Sequence, residues 1–274
     1  MTYTIGIVGS KGRMGQLFTN LFEEHSLTVY GYDLDSGSAL KEFVKKPQIL
    51  FLSVPISQVG PIIEKIQPYL SENQLVVDIT SIKLAPCKAL KNLECETLGL
   101  HPLFGPSIKE THKYPIAVCK VHGGSLTTHF LSILEEIGFR LIQTTPEKHD
   151  QMMAYVQCLP HFLSMGFTQF LKQSPFSERE LLDFAPPFFK LLFYSMIRIF
   201  AQSGSLYTDI QKNNPYFGDI LTDFSKSLEK THKKFTHSDQ EYQNLFEELQ
   251  LFLGETVRDA KEYTDSFIQQ IKNI

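Results

Sequence analysis

A chain of 274 residues with 42% hydrophobic and 20% charged side chains has the apolar mass to bury a core in two domains, which excludes disorder on a large scale. Its formal net charge of −4 supplies no broad basic field, so neither nucleic acid nor an anionic membrane is expected as a partner and a small molecule is favoured. Cys87, Cys95, Cys119 and Cys158 form no CxxC pair, and the opening Met1-Thr2-Tyr3 carries neither a charged leader nor a long apolar run, so the expectation is reduced thiols in the cytoplasm.

Thr4–Val8 is a short apolar run bounded by turn residues and predicts the first strand. It leads into Gly9-Ser10-Lys11-Gly12-Arg13-Met14-Gly15 and then into Met14–His25, whose apolar residues recur at helical spacing. A glycine-rich turn between strand and helix lets the backbone approach a pyrophosphate, whose charge rests on the free amides of the helix N-terminus. Gly9, Gly12, Arg13, Met14 and Gly15 are therefore candidate cofactor-binding residues. The glycine spacing is GxxGxxG, one residue longer than the commonest form, so the motif draws its weight from its context. That context includes a second predicted strand, Thr28–Tyr32, followed by Asp33, 18 residues beyond Gly15. An acid there accepts hydrogen bonds from the adenosine ribose and repels a 2′-phosphate, which favours NAD over NADP.

Ile49–Val54, Leu75–Ile79, Thr97–Leu100 and Ile116–Cys119 read as further strands, with helical stretches at Ser57–Tyr69 and Ser125–Ile137. The alternation predicts an α/β, Rossmann-like, doubly wound and mostly parallel sheet with helices on both faces. Ligands of such sheets bind outside the carboxyl ends of the strands. That rule adds Ser53, Val54 and Pro55 to the cofactor candidates and selects the ends Thr80-Ser81-Ile82-Lys83 and His101-Pro102-Leu103-Phe104-Gly105-Pro106. Imidazole titrates near neutral pH and the flanking prolines restrain the loop, so His101 is the candidate acid-base group. Ser81 could orient it or bind a substrate hydroxyl.

From about His149 the pattern becomes helical, with His149–Gln173, Phe188–Gln202 and Phe217–Phe235 too apolar for isolated helices. The expected division is a dinucleotide-binding domain over 1–148 and an all-helical domain over 149–274 that packs on itself and on a second subunit. Arg198 is an isolated charge in an apolar stretch, where a guanidinium needs an anionic partner. His149 and Asp150 open the first long helix, where an acid suits the macrodipole, and read as mainly structural. No histidine or cysteine spacing suggests a metal site.

Three segments carry a resemblance: Asp78-Ile79-Thr80-Ser81-Ile82-Lys83, then Gly99-Leu100-His101-Pro102-Leu103-Phe104-Gly105-Pro106, then Glu147-Lys148-His149-Asp150-Gln151-Met152-Met153-Ala154. In order and spacing the sequence resembles the prephenate/arogenate (cyclohexadienyl) dehydrogenases of tyrosine biosynthesis over nearly its whole length, without the chorismate mutase domain fused to some relatives. The resemblance implies a nicotinamide-binding domain, a helical dimerisation domain that makes a homodimer, and a dicarboxylate substrate held between the two. It implies oxidative decarboxylation, with His101 accepting the proton of the C4 hydroxyl, Ser81 holding that hydroxyl and the imidazole in register, and Arg198 and His161 binding substrate. Pro160 stands where one branch of the family has arginine, whereas another branch shares Leu-Pro-His, so the substrate contact is carried over only at His161. Prephenate with NAD+ is the favoured pairing and arogenate the alternative. Competing readings are another two-domain nicotinamide hydroxyacid dehydrogenase, which would more often use a lysine on a helix, and a non-catalytic NAD-binding regulatory protein.

Overall fold

The computed structural model describes residues 3–36, 39–108 and 110–271. Seven strands form one sheet: β1 Thr4–Val8, β2 Thr28–Tyr32, β3 Ile49–Leu52, β4 Leu75–Asp78, β5 Glu96–Pro102, β6 Pro115–His122 and β7 Arg140–Gln143. Their spatial order is β2-β1-β3-β4-β5-β6-β7, and every pairing is parallel except β5 with β6. The order reverses beside β1, which creates the crevice at the strand ends where doubly wound sheets take ligands.

Alternate strand residues feed two apolar layers, as the pleat requires. Ile5, Ile7, Ile49, Phe51, Leu75 and Val77 face α1 (Arg13–Glu24) and its Phe18 and Phe22, whereas Val8, Leu50, Leu52 and Val76 face the opposite layer. That second layer is built on α2 (Leu40–Phe43) and α3 (Ile56–Ile66). Phe18 and Phe51 are fully buried with ring centroids 4.9 Å apart, and each such side chain contributes on the order of 2 kcal/mol by burial. Helix α4 (Leu84–Leu90) leads from β4 to β5, and α5 (Ser125–Glu136) crosses from β6 to β7. The N-terminus of α5 is closed by Glu96, whose carboxylate accepts from the Thr127 amide at 2.6 Å and the Leu126 amide at 3.1 Å.

The chain divides into two compact units. The first ends at Met153 and also holds Asp209–Asn214; the second comprises Ala154–Thr208 and the chain from Pro215 onward. Helix α6 (Pro146–Met153) closes the first run. The predicted helix His149–Gln173 is interrupted by a π-helical turn over Ala154–Cys158 before α7 (Leu159–Leu171). The remaining helices are α8 (Glu178–Asp183), α9 (Pro187–Ile197), α10 (Gly204–Asn213), α11 (Phe217–His237), α12 (Asp239–Leu253) and α13 (Thr256–Ile271). In the second unit α7 and α13 pack on α9 while α11 packs on α7 and α12, yet Phe184 is 92% and Phe252 83% exposed. Among the described residues no helix is long and apolar enough to cross a membrane.

Candidate active site

The glycine loop is built by two close approaches. Gly9 has φ of 85°, and a Cβ on it would lie 2.1 Å from the Ser53 carbonyl oxygen. A Cβ on Gly15 would lie 2.2 Å from the Gly9 carbonyl oxygen. These contacts seat the start of α1 against the end of β3, so Gly9 and the Ser53-Val54 segment share one edge of the crevice; Pro55 caps α3 beside them. Gly12 is the N-cap of α1 and no side chain caps its amides, so those donors fit an anion. Arg13 opens the helix with its side chain exposed, and Met14 packs on the apolar layer beneath.

Asp33 follows β2. Its Oδ2 accepts from the Ser10 hydroxyl at 2.8 Å and the Lys11 amide at 2.7 Å, while its own amide donates to the Ser36 hydroxyl at 2.6 Å. The other carboxylate oxygen accepts no hydrogen bond from the described residues and suits a ribose hydroxyl. A Cβ-free turn, an uncapped helix N-terminus and a half-committed acid together fit a dinucleotide.

The turn after β4 is organised by buried charge. Asp78 accepts from the Thr80 amide at 3.1 Å and the Thr80 hydroxyl at 2.9 Å, and forms an ion pair with Lys83 in which neither side chain is exposed. Lys83 Nζ also donates to the Leu100 carbonyl at 2.6 Å, tying the turn to the residue before His101. Ser81 is half-buried in this turn and makes no hydrogen bond to His101 among the described residues. The group within hydrogen-bonding distance of the imidazole is another histidine, His149.

His101 lies within β5, opposite Ala117 of β6, and is 3% exposed. Its Nδ1 is 2.9 Å from His149 Nε2, and His149 Nδ1 is 2.7 Å from Asp150 Oδ1. The amides of Lys83 and Leu84, at the N-terminus of α4, donate to the two Asp150 oxygens at 2.8 and 2.9 Å, and the Asn214 side-chain amide donates to the Asp150 carbonyl at 2.8 Å. A carboxylate only accepts, so His149 carries its proton on Nδ1 and presents Nε2 as an acceptor. His101 must then carry its proton on Nδ1, which leaves its Nε2 lone pair free. The chain of three side chains thus sets the tautomer that a general base needs.

Burial, and then the repulsion that a protonated His101 would meet beside the His149 ring and the Lys83 ammonium, holds the His101 pKa well below the usual imidazole range. Burial also lowers that of His149, against the opposing pull of Asp150. Both groups therefore bind protons less readily folded than unfolded, so their contribution to stability is complete above about pH 6.5 and is lost as pH falls toward the lower folded values. We expect the free energy of unfolding from urea titrations to decline as pH falls from about 6.5 to about 5, by up to about 1.4 kcal/mol per pH unit for each histidine, and the slope to lessen in His101→Asn. A flat profile over this range would show that the pair is not held neutral.

In the second unit His161, on α7, is half-buried with its Nδ1 enclosed and without a hydrogen-bond partner. Burial lowers its pKa. Its ring meets Tyr207 edge-on at 4.7 Å, and one helical turn earlier Gln157 Oε1 is likewise buried and unpartnered. Burial raises the Tyr207 phenol, and the charge of nearby Arg198 opposes that rise. The structure thus gathers His161, Tyr207 and Arg198. Arg198 is exposed at the start of a 3-10 turn following α9 and makes no ion pair among the described residues, so no structural acid takes its charge there.

Sequence reasoning missed four members of the His101 cluster: Asp78, Lys83, His149 and Asp150. A signal existed for two of them, because Asp78 and Lys83 flank a turn that ends a wholly apolar strand, where buried opposite charges must pair. His149 and Asp150 lie in the third segment of the resemblance, but an acid in the first turn of a helix is ordinary and the pair reads as mainly structural.

Residues 23–113 match the profile of the prephenate dehydrogenase nucleotide-binding domain, and residues 145–251 match that of the prephenate dehydrogenase dimerization domain. The chain is 27% identical over 279 residues to the T-protein of Haemophilus influenzae, covering 99% of this chain and 71% of that protein. It is 27% identical over 286 residues to the probable arogenate/prephenate dehydrogenase of Methanocaldococcus jannaschii, covering 97% of this chain but 64% of the relative. Its fold matches the crystal structure of prephenate dehydrogenase from A. aeolicus in complex with hydroxyphenyl propionate and NAD+, with a TM-score of 0.71 at 19% identity over 99% of this chain and 96% of that one. With the two domain profiles matched in tandem over well more than half of its length, the chain belongs to the prephenate dehydrogenase family.

Proposed function

We propose that the chain oxidises prephenate to 4-hydroxyphenylpyruvate with loss of carbon dioxide, using NAD+, in tyrosine biosynthesis. The observation that carries this reading is the His101–His149–Asp150 chain, which leaves His101 Nε2 unprotonated at the carboxyl edge of the sheet. When bound, the oxidised nicotinamide accepts hydride from ring C4 of the substrate, and aromatisation drives departure of the C1 carboxylate. His101 Nε2 accepts the proton of the C4 hydroxyl, which becomes acidic as the carbon is oxidised. Asp150 and His149 act as positioning residues: they fix the His101 tautomer and stabilise the imidazolium that forms. Ser81 binds the same hydroxyl.

Gly9, Gly12, Arg13, Met14, Gly15, Asp33, Ser53, Val54 and Pro55 hold the cofactor in this reading. Asp33→Ser is expected to weaken NAD+ by roughly tenfold and NADP+ less, because the ribose contact is lost in the first case and a repulsion relieved in the second. Titration of the full chain with each dinucleotide decides it; equal losses remove Asp33 from the ribose.

Arg198 and His161 bind substrate carboxylate and side-chain oxygen. The groups gathered with His161 are a neutral amide, a phenol and a guanidinium, a set that suits the carboxylate of the keto acid prephenate, the substrate favoured here over the amino acid arogenate. Arg198→Ala is expected to raise the Michaelis constant for prephenate by roughly 10- to 100-fold while kcat changes little, and an unchanged constant would free Arg198 of this role. The match to a dimerization domain supports a homodimer, and four buried free thiols suit a reducing cytoplasm.

The decisive experiment measures reduced nicotinamide formed with prephenate or arogenate, each with NAD+ and NADP+. Turnover of prephenate with NAD+ is expected. Preference for arogenate would transfer the reading to the alternative substrate, and no turnover in folded protein that binds NAD+ would overturn it.

A further inference from the structure

Lys11 lies in the glycine loop, yet its side chain turns away from the crevice floor to the acids after β2. Its ammonium is 2.6 Å from Asp35 Oδ2, while its backbone amide donates to Asp33 at 2.7 Å. Two carboxylates and one ammonium therefore share the rim that the cofactor reading gives to the adenosine ribose. Both members of the Lys11–Asp35 pair are well exposed, at 61% and 69%, so the contact is weakened by salt. The hydrogen bond from Lys11 lowers the Asp35 pKa and the same contact raises that of Lys11, so both are charged at neutral pH.

From this geometry we infer that Asp35 is a specificity-determining residue: it occupies the Lys11 ammonium, which would otherwise bind the 2′-phosphate of NADP. An ammonium on a flexible stem is a good phosphate partner, and the loop places Lys11 one residue from the hydroxyl that binds Asp33. With Asp33 and Asp35 ionised and one lysine between them, the rim carries a net negative charge toward a dianionic phosphate. Neutralising Asp35 frees the ammonium for that phosphate, whereas NAD+, whose ribose carries only hydroxyls there, gains nothing from it.

The inference rests on the assignment of the loop to a dinucleotide, and a binding cycle separates the two. Dissociation constants of NAD+ and NADP+ are measured on the full chain for wild type, Asp35→Asn, Lys11→Ala and the double variant. Asp35→Asn is expected to tighten NADP+ by roughly three- to tenfold with NAD+ within about twofold, and the gain to vanish in the double variant and in about 0.5 M salt. Lys11→Ala alone should barely alter NADP+, because its ammonium is already engaged. An unchanged NADP+ to NAD+ ratio in Asp35→Asn, or a gain that survives loss of Lys11, overturns the inference while leaving the cofactor assignment intact. Failure of folded wild type to bind either dinucleotide overturns the cofactor assignment and the inference with it.

Discussion

Replacing His101 with asparagine is expected to lower kcat on prephenate by roughly 10²- to 10⁴-fold while the NAD+ dissociation constant stays within about twofold. Asparagine is the informative choice because its amide can still donate toward His149 Nε2, so the buried chain to Asp150 keeps a donor at its end while the Nε2 base is removed. The wild-type acid limb should lie below the ordinary imidazole value, since burial and the nearby positive charges favour neutral His101. Single-turnover rates across pH, paired with cofactor titration, separate chemistry from binding. Retention of more than about a tenth of the wild-type rate would mean that the base is elsewhere, and a large loss of NAD+ affinity would return His101 to a structural role.

The second large effect concerns stability. Lys83→Met leaves Asp78 as an unpaired carboxylate with no solvent exposure and strips the Leu100 carbonyl of a donor. Breaking a buried ion pair from one side typically costs about 3–5 kcal/mol, far more than a surface pair is worth. A urea-unfolding midpoint should fall accordingly. Asp78→Leu with Lys83→Met should recover much of the loss, because a matched apolar pair has no uncompensated charge, although Thr80 then lacks its acceptor. A single-variant cost below about 1 kcal/mol would show that water or a neutral carboxyl relieves Asp78.

The first half of the fold was legible because most strands are short apolar runs cut by turn residues, and the glycine turn has a chemistry that few other sequences need. Thr4–Val8 and Thr28–Tyr32 match their predicted limits, and β5 extends past its predicted end to include His101 and Pro102. β7 escaped notice: Arg140-Leu141-Ile142-Gln143 is four residues long at the sheet edge, with only two apolar members. At the site, His101 was legible from the strand-end rule, but its partners were not. His149 and Asp150 are 48 and 49 positions further along, and nothing local distinguishes an acid receiving two amides of another helix from one serving its own. At Arg198 the apolar neighbours in sequence do not bury the side chain, which lies where the helix gives way to a tighter turn.

The hydrogen bond from Asn214 to the Asp150 carbonyl has a consequence for inheritance. Because Asp209–Asn214 belongs to the first compact unit, the dinucleotide-binding unit is not one uninterrupted stretch of gene. A fragment stopping at Met153 would contain every member of the proton-accepting chain and still lack the amide that closes over its carboxylate-bearing residue. Recombination that grafts another helical half onto this sheet must therefore bring a suitable hexapeptide with it, which couples the ancestry of the two halves more tightly than their separate cores would suggest.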